Sequence, residues 1–152
     1  MDEICRATAD DADALFALGE EGGFHHWSYH QFADAVARDN TWIMRRDGAL
    51  AGFAIFSRIL DEAELHNVVV SPQMRQGGIG RKLLLHGLDD CRKAGAVHCL
   101  LEVGVTNLPA IALYEKLGFC AIAVRKNYYT NEQGGEDALV MQMPLHPCRE
   151  SV

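Results

Sequence analysis

The sequence predicts an α/β protein built on a single mixed sheet of about seven strands flanked by about four helices. Three observations carry this. Strand-like and helix-like stretches alternate along all 152 residues. Asp47-Gly48, one of the strongest short hairpin signals, separates two apolar runs. The stretch "RQGGIGRKLLLHGLDDCRKAG", residues 75–95, passes directly from a glycine loop into helical spacing. With 49% hydrophobic and 23% charged residues, a chain of this length buries one core. The expected organisation is a single domain over residues 1–146 with a short tail over 147–152.

The elements follow in order. Residues 3–8 read as a first strand, and Asp10-Asp11 can cap a helix that runs to Glu21, where Gly22-Gly23 stops it. Ser28-Tyr29-His30-Gln31 has the S-x-x-Q form of a capping box, in which two side chains satisfy backbone N–H groups at a helix start. A second helix therefore covers Ser28 to Arg38. "TWIMRR" and "ALAGFAIFSRIL" are strands on either side of Asp47-Gly48, and "EAELHNVVV" is a fourth strand closed by Ser71-Pro72. From there Ile79, Leu83, Leu84, Leu88 and Cys91 keep one helical face until Gly95. "AVHCLLEV" returns to strand. Asn107 caps a helix that carries Pro109 in its first turn and ends at Gly118. "FCAIAVRKNYY" and "EDALVMQMPL" complete the set as two strands joined across Gly134-Gly135.

Charge and cysteine usage narrow the function classes. The formal charge of -7 disfavours nucleic acid, whose phosphates need a basic face, and favours approach of a basic partner. Met1-Asp2-Glu3 is acidic where an export signal is basic, and no apolar run approaches the ~20 residues of a membrane span. Cys5, Cys91, Cys99, Cys120 and Cys148 are scattered and contain no C-x-x-C pair, which fits a reducing cytoplasm. A cytoplasmic monomer is expected, without membrane or nucleic-acid contacts.

The loop from Arg75 to Gly80 follows a strand and opens a helix. The first N–H groups of a helix have no intrahelical partner and lie at the positive end of its dipole, so an anion can dock there, and glycines let a large one approach. Taken alone, the loop is equally a tight connection.

Arg75-Gln76-Gly77-Gly78-Ile79-Gly80 matches an R/Q-x-x-G-x-G/A signature, and on these residues the chain resembles the GNAT acetyltransferases. The likeness runs over roughly residues 5–145. Trp27-Ser28, Asp61 to Leu65 with Asn67, Leu101-Glu102-Val103, "NLPAIALYEKLGF" and "RKNYYTNEQGGEDALVM" together resemble the bacterial ribosomal-protein alanine N-acetyltransferases, which acetylate the N-terminal alanine of a small-subunit ribosomal protein. The resemblance implies the GNAT acyl-CoA N-acyltransferase fold and acetyl-CoA as co-substrate. It further implies that Arg75 and the backbone of Gln76, Gly77, Gly78, Ile79, Gly80 and Arg81 hold the pyrophosphate. Val68, Val69 and Val70 would offer main-chain groups to the pantetheine arm, Asn107 would also touch the cofactor, and Trp27, Tyr128 and Tyr129 would line the peptide groove. Gly77, Gly104 and His25-His26 depart from close relatives.

Acyl transfer from a thioester to an amine needs a base for the amine and benefits from an acid for the thiolate. By strand alternation His98, Leu100 and Glu102 share one face. On its position alone a carboxylate there reads as a solvated strand end sooner than as a base; the resemblance makes Glu102 the base. Tyr114 follows Asn107 by two helical turns. A phenol of reference pKa ~10 can donate to a thiolate whose acid lies near ~8.5. Core packing explains Tyr114 equally well, and the resemblance makes it the acid. Glu64 and His66, on the strand before the loop, are second candidates for the base. His25-His26-x-x-x-His30 lacks a carboxylate or cysteine to complete a ligand set, so no metal is expected.

An α-amino group has a reference pKa of ~8 and lysine ~10.4, so the neutral nucleophile costs about 3 kcal/mol less to reach at an N-terminus. Three functions compete: an N-terminal protein acetyltransferase, an acetyltransferase for a small amine or lysine, and a module that holds acetyl-CoA without turnover. Retention of both Glu102 and Tyr114 disfavours the third.

Overall fold

A computed structural model describes residues 2–22, 27–38, 40–75, 77–131 and 134–145, with backbone alone at 127–131 and 134–135. The elements are β1 (Asp2–Arg6), a 3-10 turn (Ala9–Asp11), α1 (Ala12–Glu21), α2 (Tyr29–Arg38), β2 (Asn40–Arg46), β3 (Ala49–Ile59), β4 (Glu62–Val70), a second 3-10 turn (Pro72–Met74), α3 (Ile79–Lys93), β5 (His98–Gly104), α4 (Leu108–Leu117), β6 (Cys120–Asn131) and β7 (Gly134–Pro144). The seven strands form one sheet in the order β1-β2-β3-β4-β5-β7-β6. β4 and β5 run parallel, and the other neighbours run antiparallel. The mixed α/β class and its complement of strands and helices are those the sequence predicts.

Boundaries differ where side chains compete with the ladder. β1 ends at Arg6 because Thr8 enters a capping box with Asp11, whose carboxylate accepts from the Thr8 N–H at 2.8 Å. β5 begins at His98, since the Ala96 N–H is spent on the Cys91 carbonyl that closes α3 and the Val97 N–H on Asp61. Gly134 and Gly135 belong to β7, where they pair with Asn131 and Thr130, so the ladder runs past them. The Ser28–Gln31 box forms as expected: Gln31 Oε1 accepts from the Ser28 N–H at 2.7 Å, and Ser28 Oγ from the Gln31 N–H at 3.3 Å.

Each sheet face carries its own apolar layer. Leu15, Leu18, Phe32 and Ala35 of α1 and α2 bury Ile43, Phe53, Ile55 and Val69. On the other face, α3 contributes Ile79, Leu83, Leu84, Leu88 and Cys91, and α4 contributes Tyr114, over Met44, Phe56, Leu65, Leu101, Val103 and Met141. Gly87 lets α3 press onto β3, for a Cβ there would lie 2.0 Å from Phe56 Cε1.

One irregularity positions the site. The β4–β5 ladder runs from Glu62↔His98 to Leu65↔Leu101 and stops. β4 continues to Val70 against β3 alone, and His66 bulges out of that pairing, since Ile55 faces Asn67 while Phe56 faces Leu65. Beyond Leu65 the two strands part, and the β5-facing edge of β4 has no ladder partner among the described residues.

Candidate active site

The parted strands open beside the glycine loop. Gly78 is the N-cap of α3 in the left-handed conformation, φ 77°, and its carbonyl accepts from Lys82 at 3.0 Å. The N–H groups of the first turn, from Ile79 onward, precede any intrahelical acceptor. A Cβ at Gly80 would lie 3.5 Å from Val70 Cγ2 and 3.8 Å from Leu113 Cδ2, so the end of β4, the start of α3 and the middle of α4 meet here. The structure thus brings Val68, Val69, Val70, Gly78, Ile79 and Gly80 to one place. Unpaired strand backbone beside a glycine-opened helix N-terminus suits an extended arm ending in a pyrophosphate.

Two of the predicted cofactor binders also make structural hydrogen bonds. Arg75 reaches back, with Nε on the Val70 carbonyl at 3.3 Å and Nη2 on the Gly22 carbonyl at 3.2 Å, tying the loop to β4 and α1. Asn107 Oδ1 caps α4 by accepting from the Ala110 N–H at 3.3 Å. Arg81 is exposed on the first turn of α3. Near Gly77 stands a guanidinium the sequence did not suggest: a Cβ there would lie 3.5 Å from Arg46 Nη1. Arg46 is bidentate with Asp2, and that pairing holds the Asp2 carboxyl down at about 2.

Glu102 and Tyr114 belong to opposite faces of the sheet. Tyr114 is buried in the layer that contains Leu101 and Val103, its ring edge-on to Phe119 at 5.8 Å. Glu102, between those two residues on β5, points to the other face. Its Oε1 accepts from Arg125 Nη1 at 2.6 Å. Oε2 is buried without a hydrogen-bond partner among the described residues, and such an oxygen is costly unless something supplies a donor.

The same face carries Glu64, His66 and Trp27. His66 Nε2 lies 2.7 Å from Ser57 Oγ, Nδ1 lies 3.8 Å from Glu64 Oε1, and the Trp27 ring stacks at a tilt 6.3 Å from the imidazole. Trp27 also packs edge-on against Phe32, which fixes it beside the opening. At Gly104 a Cβ would fall 2.6 Å from Glu136 Oε1, an oxygen that accepts from the Thr106 N–H at 3.2 Å and the Thr106 hydroxyl at 2.5 Å. The missing side chain is what lets that carboxylate fold over the end of β5. Sequence reasoning did not find the Arg125 pairing, the Ser57–His66 bond or the Glu136 latch. The first and third join residues 23 and 30 positions apart, and the second crosses the β3–β4 hairpin at a bulge.

Burial pushes the Cys91 thiol up to about 11, and pushes Cys99, on β5 itself, up as well. Both stay protonated at neutral pH, so neither is primed to take an acyl group. Among the described residues no group of three or more His, Cys, Asp or Glu side chains is placed to hold a metal ion. His25, His26 and Gln76 lie outside the described residues, as do the side chains of Tyr128 and Tyr129, whose backbone belongs to β6.

Residues 7–119 match the Acetyltransferase (GNAT) family. The chain belongs to the GNAT acetyltransferase family. It is 37% identical over 146 residues to the ribosomal protein bS18-alanine N-acetyltransferase of Escherichia coli K12, covering 95% of this chain and 99% of that one. The crystal structure of the Escherichia coli ribosomal-protein-S18-alanine N-acetyltransferase superposes with a TM-score of 0.91 at 36% identity, over 100% of this chain and 99% of that one. A shorter likeness, 40% over 101 residues, links 64% of the chain to 53% of the streptothricin acetyltransferase of Streptomyces lavendulae.

GNAT enzymes use acetyl-CoA, and the unpaired edge of β4 with the left-handed Gly78 fits that molecule's arm and phosphates. Gly78→Val is expected to weaken acetyl-CoA binding about 5- to 30-fold. A β-carbon in the left-handed region costs about 1–2 kcal/mol, and relieving that strain moves the first-turn N–H groups off their aim. The Cβ meets nothing within 4 Å, so the variant folds. Calorimetry on the folded variant checks this, and an unchanged Kd counts against a role for the loop.

Proposed function

We propose that this enzyme transfers the acetyl group of acetyl-CoA to a protein N-terminal α-amino group, the acceptor being the N-terminal alanine of a small-subunit ribosomal protein. One observation carries the reaction. Where β4 and β5 part, Glu102 presents a buried carboxylate oxygen without a partner, on the sheet face opposite the one that buries Tyr114. The thioester supplies an activated acyl carbon when bound. Glu102 accepts the proton that the amine loses on attack, and Tyr114 donates one to the departing sulfur. Backbone of Val68 to Val70 aligns the arm, and the α3 N-terminus holds the phosphates.

The acceptor is supported by the likeness to the bS18-alanine enzyme along nearly the full length of both chains. Such an acceptor places the enzyme in the cytoplasm, with residues 1–146 as one catalytic domain. Trp27, with Tyr128 and Tyr129, would line the peptide groove. The streptothricin acetyltransferase likeness favours a second reading, a small amine as acceptor.

A panel assay separates the two. An alanine-starting basic peptide, the same peptide blocked at its N-terminus but carrying lysine, and a set of small amines are each offered with acetyl-CoA, and products are read by mass spectrometry. Acetylation confined to the free N-terminus is expected. Modification of the blocked peptide or of small amines alone would overturn the proposal.

A further inference from the structure

We infer that Arg125 is a positioning residue for the transfer: it occupies Glu102 Oε1, leaves Oε2 as the proton-accepting oxygen, and admits the acceptor beside it as a neutral amine. This rests on Glu102 acting as the base toward an amine. Arg125 stands on β6 opposite Ala138, which pairs in turn with Gly104, whereas Glu102 pairs with Val140 and through it with Ala123. The guanidinium therefore starts one row beyond Glu102 and crosses β7 diagonally. Its own row offers only a methyl group and a hydrogen, which leaves the path open. The 2.6 Å contact joins a half-exposed arginine to a carboxylate whose side chain is 23% exposed, and a pair so open to water adds little to stability.

Its value lies in orientation. A carboxylate free to rotate shares its lone pairs among several donors, whereas one oxygen clamped by arginine makes the other the acceptor. The buried, unpartnered Oε2 is the one left. Charge adds a second effect. An ammonium arriving at Oε2 meets the guanidinium a few ångströms away, and like-charge repulsion favours loss of its proton.

Among the described residues of β4, β5 and β7, the other titratable groups on this face are Glu62, Glu64 and His66 of β4, His98 of β5 and Glu136 of β7. Glu136 is held by Thr106. Lys126 and Asp137, paired at 3.6 Å, alternate to the opposite face. His66 is the neighbour whose titration has to be separated, so the test is run with and without His66→Phe.

The experiment is the pH dependence of kcat for acetylation of the alanine-starting peptide by the wild type, Arg125→Ala and Arg125→Lys, with acetyl-CoA affinity measured alongside. In Arg125→Ala the acidic limb of kcat is expected to move up by about one pH unit, because the bound amine keeps its proton longer. The Kd for acetyl-CoA stays unchanged, and Arg125→Lys restores most of the shift. A limb that stays in place in Arg125→Ala overturns the inference. So does a uniform fall in kcat at every pH, which is the mark of a structural role. Should the wild type ignore the peptide but acetylate another amine of the panel, the acceptor proposed above fails, and the Arg125 profile is read on that amine.

Discussion

Glu102→Gln is expected to lower kcat for N-terminal acetylation about 10²- to 10⁴-fold at neutral pH and to regain part of the loss as the pH rises past ~8. The amide keeps the shape of the side chain, and its carbonyl oxygen can still accept from Arg125 Nη1, so the contact at 2.6 Å has a successor and the fold is spared. What disappears is the oxygen that takes the proton. Above the reference α-amino pKa the amine arrives already neutral, and the deficit shrinks because only the proton released on attack still needs an acceptor, which water or hydroxide supplies. Acetyl-CoA affinity should hold, since the proposed phosphate contacts are main-chain N–H groups of α3 and not the Glu102 side chain. Initial rates against pH, with calorimetry for the cofactor, test this directly. Full activity across pH would transfer the base to Glu64 or His66, which share the face of Glu102, His66 being bonded to Ser57 and adjacent to Glu64.

Tyr114→Phe is expected to cost a comparable factor, about 10²- to 10⁴-fold, with no recovery at high pH. The substitution removes only the hydroxyl. The ring keeps its edge contact with Phe119 and its place in the α3–α4 layer, so the variant keeps the fold. The missing step is protonation of the thiolate, which alkaline solution cannot assist. The pH profile therefore distinguishes the two residues: a deficit that closes with pH marks the base, and one that persists marks the acid. A Tyr114→Phe enzyme with wild-type kcat would show that water protonates the sulfur, leaving Glu102 alone as the catalytic group.

Much of the site was legible one residue at a time. The glycine run ahead of Ile79 announced a helix opening, and Gly78 takes the left-handed cap that only a residue without a Cβ adopts cheaply. Alternation along β5 put Glu102 opposite Leu101 and Val103, and the burial of that strand follows the same alternation. The roles of Glu102 and Tyr114 came from family resemblance, because a terminal carboxylate and a buried tyrosine have ordinary structural explanations. Arg75 and Asn107 carry structural duties as well, since one ties the loop to β4 and α1 while the other caps α4.

What the sequence by itself determined is local: helix starts at Ser28 and Asn107, the Asp47-Gly48 turn, helical spacing from Ile79 to Cys91, and strand alternation throughout. Each depends on neighbours within a turn or a pleat, and the competing conformations differ by the chemistry of a few residues. Only the tertiary structure decided where β4 and β5 part, that His66 bulges at that point, and that Arg125 reaches Glu102 from 23 residues away. The parting of two strands depends on which helices load each sheet face, and a diagonal ion pair depends on register across three strands. These are sums over contacts distant in the chain, and no single stretch of sequence contains them.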